Sequence, residues 1–222
     1  MRPEPPPATI RTEVTLPLRF AGGPATTAQV FTFDGLADGG EHLALGLGGR
    51  AVPPLVRLHS ECLTGDVLGS QRCDCGPQLV EAVERISVAG GFLLYLRQEG
   101  RGIGLYAKLD AYALQDVGLD TYDANVALGF SADGRDYTVA AQMLRALGVD
   151  RVALLSNNPD KAAQLDRLGI SVARRVRTGV HLTEANAHYL ATKSRRGDHT
   201  LNGVAAATAP NGDSAVPRAT PA

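Results

Sequence analysis

The chain has 222 residues, 44% hydrophobic and 20% charged, enough apolar material for one or two compact cores, which excludes disorder along its whole length. Lysine and arginine total 22 against 23 acidic residues, so the net charge of −1 offers no global field to nucleic acid or an anionic membrane, and any phosphate binding has to be local. Apolar runs such as 91–96 and 152–155 fall far short of the roughly 18 residues of a membrane-spanning helix, and the opening Met-Arg-Pro-Glu-Pro-Pro-Pro has no signal-like apolar segment. Three cysteines cannot complete a disulfide framework, which fits a reducing, cytoplasmic location.

Residues 1–13, which open on a Pro-rich stretch, and 202–222, rich in Ala, Thr, Pro and Gly, are expected to be disordered ends. No repeat or internal linker divides 14–201, which reads as one domain of α/β class, with a β-rich N-terminal layer and a mixed sheet flanked by helices. The runs 14–18, 29–33 and 42–47, separated by Gly and Pro clusters, predict strands.

Next come the cysteines. Cys62, Cys73 and Cys75 all fall within fourteen residues. A free cysteine is ordinarily a small buried hydrophobe. Here Glu61, Asp66, Arg72 and Asp74 make the segment polar, and polar segments seldom fill a core. Three thiolates suit zinc, and with only three protein ligands the fourth position stays open for catalysis. The rival is a closed structural site with His59 as the fourth ligand, three residues before Cys62.

Apolar positions at helical spacing over 79–88, ended by Gly90-Gly91, predict a helix, and 92–96 a buried strand. The connection Glu99-Gly100-Arg101-Gly102-Ile103-Gly104 then sets backbone N–H groups between a strand and a helix, where an anion can sit, although it matches neither the dinucleotide nor the Walker A pattern. Arg57, Arg97 and Arg101 supply planar donors for forked phosphate contacts. Helices follow over 106–117 and 137–147, each stopped by a glycine. Asp136 suits a cap for the second helix, and Asp133 with Arg135 reads equally as an exposed ion pair or a functional pair. A strand over 152–155, a Pro-started helix over 159–168 and a strand over 170–172 close the alternation. Lys161 in the first turn of that helix opposes the helix dipole, a placement that suits a negative ligand as well as a solvated surface lysine.

The string Arg57-Leu58-His59-Ser60-Glu61-Cys62-Leu63-Thr64-Gly65-Asp66, continued by Arg72-Cys73-Asp74-Cys75-Gly76, closely resembles the zinc-site signature of GTP cyclohydrolase II, the first committed enzyme of riboflavin synthesis. Further motifs recur in order: YLRQEGRGIGL from Tyr95, YALQD from Tyr112, Gly129-Phe130 with Asp133-Gly134-Arg135-Asp136, Asn157-Asn158-Pro159 with Lys161, and His188-Tyr189-Leu190 with Thr192-Lys193. The resemblance covers about residues 16–201. It implies that Cys62, Cys73 and Cys75 hold one catalytic Zn²⁺ per subunit, used to attack C8 of guanine and release formate. It further implies that Arg57, Leu58, His59, Ser60, Glu61, Gln78, Glu99, Gly100, Arg101, Thr121, Ser156 and Lys161 bind GTP, with Mg²⁺ on the triphosphate. Arg135 matches the family's nucleophile on the α-phosphate, Asp133 its proton acceptor and Tyr112 an acid-base partner. A guanidinium keeps its proton in nearly every environment, so Arg135 suits an electrostatic clamp as well as a nucleophile.

The resemblance also implies a homodimer, while the balanced charge and short apolar runs predict no nucleic-acid or membrane partner. The family's common partner domain is expected to be absent, since only about fifteen residues precede the matching region. Gly134 stands where a larger residue is common and is expected to loosen the loop carrying Asp133 and Arg135. A paralogue that stops at the ring-opened formamide or serves secondary metabolism, and a zinc-stabilised nucleotide-binding module without turnover, are the alternatives.

Overall fold

Alternating polar and β-branched residues early in the chain become a long antiparallel hairpin, β1 (Thr9–Arg19) and β2 (Ala25–Asp34). The computed structural model describes residues 7–20, 23, 25–131 and 134–186. β1 starts at Thr9, inside the segment expected to be disordered up to residue 13, because Thr9, Ile10 and Thr12 pair with Asp34, Phe33 and Thr32. Thr9 to Glu13 are exposed, so the hydrophobic signal that marks a strand is missing there. Pro17 fits within β1 because the strand is an edge of the sheet and needs no donor on its outer side.

β3 (Leu43–Leu47) continues the antiparallel layer and pairs with β5 (Gly91–Leu96). From there the sheet is parallel through β4 (Leu55–Ser60), β6 (Arg151–Leu155) and β7 (Ser171–Val176), giving one seven-stranded mixed sheet of order β1-β2-β3-β5-β4-β6-β7. Six helices accompany it among the described residues: α1 (Leu63–Asp66), α2 (Cys75–Ala89), α3 (Leu105–Asp116), α4 (Thr121–Ala127), α5 (Thr138–Ala146) and α6 (Pro159–Arg167). No helix among the described residues is long and apolar enough to cross a membrane.

Strand alternation sorts the core into two layers. Leu55, Leu93, Ala153 and Leu155 face Leu79, Ala82, Val83 and Ile86 of α2. Val56, Leu58, Leu94, Leu96, Val152 and Leu154 face α5 and α6 through Tyr137, Met143, Leu144 and Leu165. Each fully buried aliphatic contributes about 1.5–3 kcal/mol. On β4 the same alternation continues past Leu55, so Arg57 and His59 stand on the α2 face, above its apolar layer.

The order of the parallel strands fixes where a ligand can enter. From β4 the chain crosses to β5 on one side and later returns to β6 on the other, so the topological switch lies between β4 and β6. Their pairing is limited to Leu55↔Ala153 and Val56↔Leu154. Beyond it the strands part at their carboxyl ends, and the gap receives cations: Arg57 Nη1 donates to the Leu155 carbonyl at 3.2 Å and Lys161 Nζ to the Leu58 carbonyl at 2.7 Å.

Candidate active site

The cysteine segment sits over this crevice. Cys62 follows the end of β4 and precedes α1, while Cys75 is the first residue of α2, which begins four residues before the predicted helix. The sulfurs of Cys62, Cys73 and Cys75 form the one cluster of His, Cys, Asp or Glu among the described residues that could hold a metal ion, and all lie within 4.8 Å of one another. Tetrahedral zinc with Zn–S bonds of about 2.3 Å requires sulfurs about 3.8 Å apart. The Cys62–Cys73 separation of 3.6 Å fits that requirement. Room for the trio comes from Gly65, where a Cβ would lie 2.9 Å from Cys73 Sγ and 3.1 Å from Cys62 Sγ.

Polarity of the flanks does not keep this segment out of the interior: Cys62, Cys73 and Asp74 are all buried. What distinguishes it from an ordinary core is the thiol electrostatics. Hydrogen bonds from the Cys73 and Cys75 thiols, assisted by Lys108 and opposed by burial, hold Cys62 far below the usual thiol range. Cys73, bonded to Cys62, is pushed up to about 11, and Cys75, facing both other sulfurs, is also raised.

His59 is not a fourth ligand. Its ring Nε2 lies 3.1 Å from both Asp66 carboxylate oxygens, and the ring stacks on Tyr95, its register partner on β5, at 5.5 Å. Asp66 also accepts from Cys62 N at 3.0 Å and from the Tyr95 hydroxyl at 2.9 Å. Burial lowers the His59 pKa despite Asp66, so the ring is neutral near pH 7. With Nε2–H directed at Asp66, His59 Nδ1 is a buried acceptor without a partner. Arg57 Nε is a second buried orphan, although Arg57 Nη2 is fastened to Gln78 Oε1 at 2.6 Å and Gln78 in turn to Asp74.

The opposite wall is the turn Glu99–Gly102, where Gly100 (φ 61°) and Arg101 (φ 63°) are consecutively left-handed. Arg101 is the sole described non-glycine with positive φ, a strained conformation that turns up at binding sites. Gly134 N donates to the Arg101 carbonyl at 3.1 Å, and a Cβ on Gly102 would meet the Gly134 carbonyl at 3.3 Å. Gly134 therefore docks the Arg135 loop against the glycine-rich turn, whereas the sequence suggested a loosened loop. Tyr112, on α3, is kept protonated mainly by burial, and Arg72 lies 4.8 Å over its ring.

One cavity is lined by all the sequence-predicted site residues except Leu58, Thr121 and Asp133. The Leu58 side chain is buried in the α5/α6 layer, so its carbonyl is what reaches the site. Thr121 opens α4, but its side chain, Asp133 and the 188–193 motif fall outside the described residues. Arg97, expected as a phosphate donor, is half exposed and paired with Glu61 at 2.9 Å. Lys161 is buried rather than solvated, held by the Leu58 carbonyl and 5.5 Å from the Tyr137 ring centre. Asp136 lies one residue before the N-cap of α5, which is Tyr137 and makes no side-chain cap bond; from there Asp136 accepts from Thr138 N at 2.6 Å, so it steadies the helix start without being the cap expected of it. Lys108, Asn125 and Thr178, which also line the cavity, carry no motif signal. Lys108 shares the inner face of α3 with Ala111, a pattern visible only once the partners of that helix are known.

Comparison with known proteins agrees with this geometry. The family model described as GTP cyclohydrolase II matches residues 10–177. A GTP cyclohydrolase-2 from Vibrio vulnificus is 51% identical over 177 residues, covering 78% of this chain and 89% of that protein. One from Psychromonas ingrahamii is 47% identical over 195 residues, covering 86% and 96%. The riboflavin biosynthesis protein RibBA of Bacillus velezensis is 50% identical over 194 residues, covering 86% of this chain and 48% of that longer protein. With a matched core running from β1 into the segment after β7, and the cysteine trio and glycine-rich turn inside it, this chain belongs to the GTP cyclohydrolase II family of enzymes.

Proposed function

We propose that the chain is a cytoplasmic, homodimeric, zinc-dependent GTP cyclohydrolase II. It hydrolyses both guanine bonds to C8, releasing formate, and cleaves the α–β phosphoanhydride, releasing pyrophosphate. The product is a diaminopyrimidine ribosylamine phosphate, and the reaction is the first step of riboflavin synthesis. The observation that carries this reading is the convergence of three cysteine sulfurs on the same cavity as Arg57, Arg101, Arg135 and Lys161. When bound by Cys62, Cys73 and Cys75, zinc supplies Lewis-acid activation of water near neutral pH.

The other steps belong to the protein. Arg57 and His59 line the cavity, and their buried, unsatisfied Nε donor and Nδ1 acceptor would become partners for a polar heterocycle or sugar once the site adjusts to the ligand. The protonated Tyr112 phenol, beside the sulfurs, acts as a proton donor to the opening ring. Arg101, Arg135 and Lys161 hold the triphosphate with Mg²⁺ and stabilise charge on the transferring phosphoryl group, Asp133 being the proton acceptor assigned to Arg135.

Incubation of the purified protein with GTP and Mg²⁺, followed by assays of formate and pyrophosphate and a product mass, tests the reading. Equimolar formate and pyrophosphate are expected, and a product retaining C8 overturns the full reaction. Acid quench with α-labelled GTP separates the two roles of Arg135: a trapped adduct means nucleophile, none means clamp.

A further inference from the structure

Lys108 is a buried cation with no role in the proposed chemistry. Its side chain is 10% exposed and its Nζ lies 3.1 Å from Cys62 Sγ, 3.0 Å from Thr64 Oγ1 and 2.8 Å from Glu99 Oε1. An ammonium has three protons, and these three acceptors use them all, which leaves none for a nucleotide. Glu99 is equally committed: Oε1 also accepts from Gly100 N at 3.1 Å, and Oε2 accepts from Leu63 N at 2.7 Å. Leu63 follows Cys62 in the chain, so the Lys108–Glu99 pair grips the ligand from two sides, at its sulfur and at the next backbone amide. Glu99 thus anchors the start of the glycine-rich turn to the cysteine segment.

Charge gives the arrangement a purpose. Three thiolates around a divalent cation leave a surplus of one negative charge, and a buried uncompensated charge is costly. The Lys108–Glu99 pair is neutral as a whole, but it turns its positive end to the sulfur, which locally stabilises the negative charge there, and an N–H···S bond withdraws electron density from that sulfur.

We propose that Lys108 is a positioning residue of the metal centre: held by Glu99, its ammonium orients the Cys62 sulfur, stabilises its thiolate charge at close range and so raises the affinity of the site for zinc. This rests on the zinc reading above. A plain structural brace between α3 and the glycine-rich turn is the competing account, and it predicts altered stability with an unaltered metal centre.

The test uses the full chain stripped of metal, the wild type against Lys108→Met, with zinc affinity read by competition with a chromophoric chelator. Cobalt(II) serves as a spectroscopic probe of the sulfurs. Loss of an outer partner of a metal ligand weakens binding by about 10- to 100-fold. Lys108→Met is expected to lose zinc affinity in that range and to move the sulfur-to-cobalt charge-transfer band to lower energy, since Cys62 then donates more strongly. Unchanged affinity with an unchanged band in folded Lys108→Met overturns the proposal and leaves the zinc reading standing. A wild type that takes up neither metal overturns both. If Lys108→Met does not fold, the pair Lys108→Met with Glu99→Gln, which leaves no isolated carboxylate, is measured in its place: weakened zinc binding with a shifted band supports the proposal, and wild-type values of both overturn it.

Discussion

Gly65→Ala separates the geometry of the cysteine centre from helix propensity. Gly65 lies within α1 and its φ is not in the left-handed region, so alanine suits the backbone and, on propensity alone, stabilises the helix by about 1 kcal/mol. The added methyl, however, would sit 2.9 Å from Cys73 Sγ, 3.1 Å from Cys62 Sγ and 3.2 Å from Cys75 Cβ. Non-bonded heavy atoms rest at about 3.5–4.0 Å, so the sulfurs must give by roughly half an ångström. Metal ligation tolerates deviations of only about 0.2 Å. Overpacking of this kind costs about 1–3 kcal/mol, which corresponds to a roughly 5- to 150-fold loss of zinc affinity. Chelator competition measures the loss, and thermal melting of the metal-free variant shows whether the fold is retained. Gly49→Ala is the control, because a Cβ there meets nothing within 4 Å. Zinc affinity equal to wild type in Gly65→Ala would refute convergence of the sulfurs on a metal beside α1.

Three further outcomes are expected. Stripping the metal abolishes formate release yet leaves a cooperative melt at a lower temperature, since neither core cluster contains a cysteine; circular dichroism showing an unfolded apo chain would contradict this. Arg101→Gly relieves a left-handed side-chain residue worth about 1–2 kcal/mol, so stability holds or rises while GTP turnover falls about ten- to hundredfold, and a destabilised variant would count against the strain argument. Glu81, although burial acts to raise its pKa, is held below its ordinary 4.5 by the Gly179 amide, Arg85 and His181. The unfolded chain therefore binds more protons near that pH, so the contribution is complete above 4.5 and lost as pH falls through the native value. Glu81→Gln is expected to cost about 1 kcal/mol at pH 7 and nothing in strong acid, as read by denaturant titration at several pH values.

The sequence is informative wherever periodicity and chemistry coincide. Glycine-stopped helices such as α2 and α5, the buried strands β5 and β6 and the cysteine trio all announce themselves within a few residues. The failures share a cause, which is that environment is set by elements distant in the chain. Thr9 to Glu13 read as tail because their pairing with β2 leaves them exposed. Asp74 reads as a polar flank of the cysteines and Lys108 carries no signal at all; the burial of both follows from the approach of α2 and α3 to the cysteine segment. Leu58 shares a motif with Arg57 and His59 but points to the other layer, as strand alternation requires.

The contact between Gly134 and the Arg101–Gly102 backbone has a mechanical consequence. The two guanidinium-bearing loops are joined there main chain to main chain, by the Gly134 N–H on the Arg101 carbonyl. A shift of one that strains this hydrogen bond is resisted by the other, so Arg101 and Arg135 are expected to advance or retreat together as one jaw. A bulkier residue at either glycine would wedge that jaw ajar even with both arginines intact.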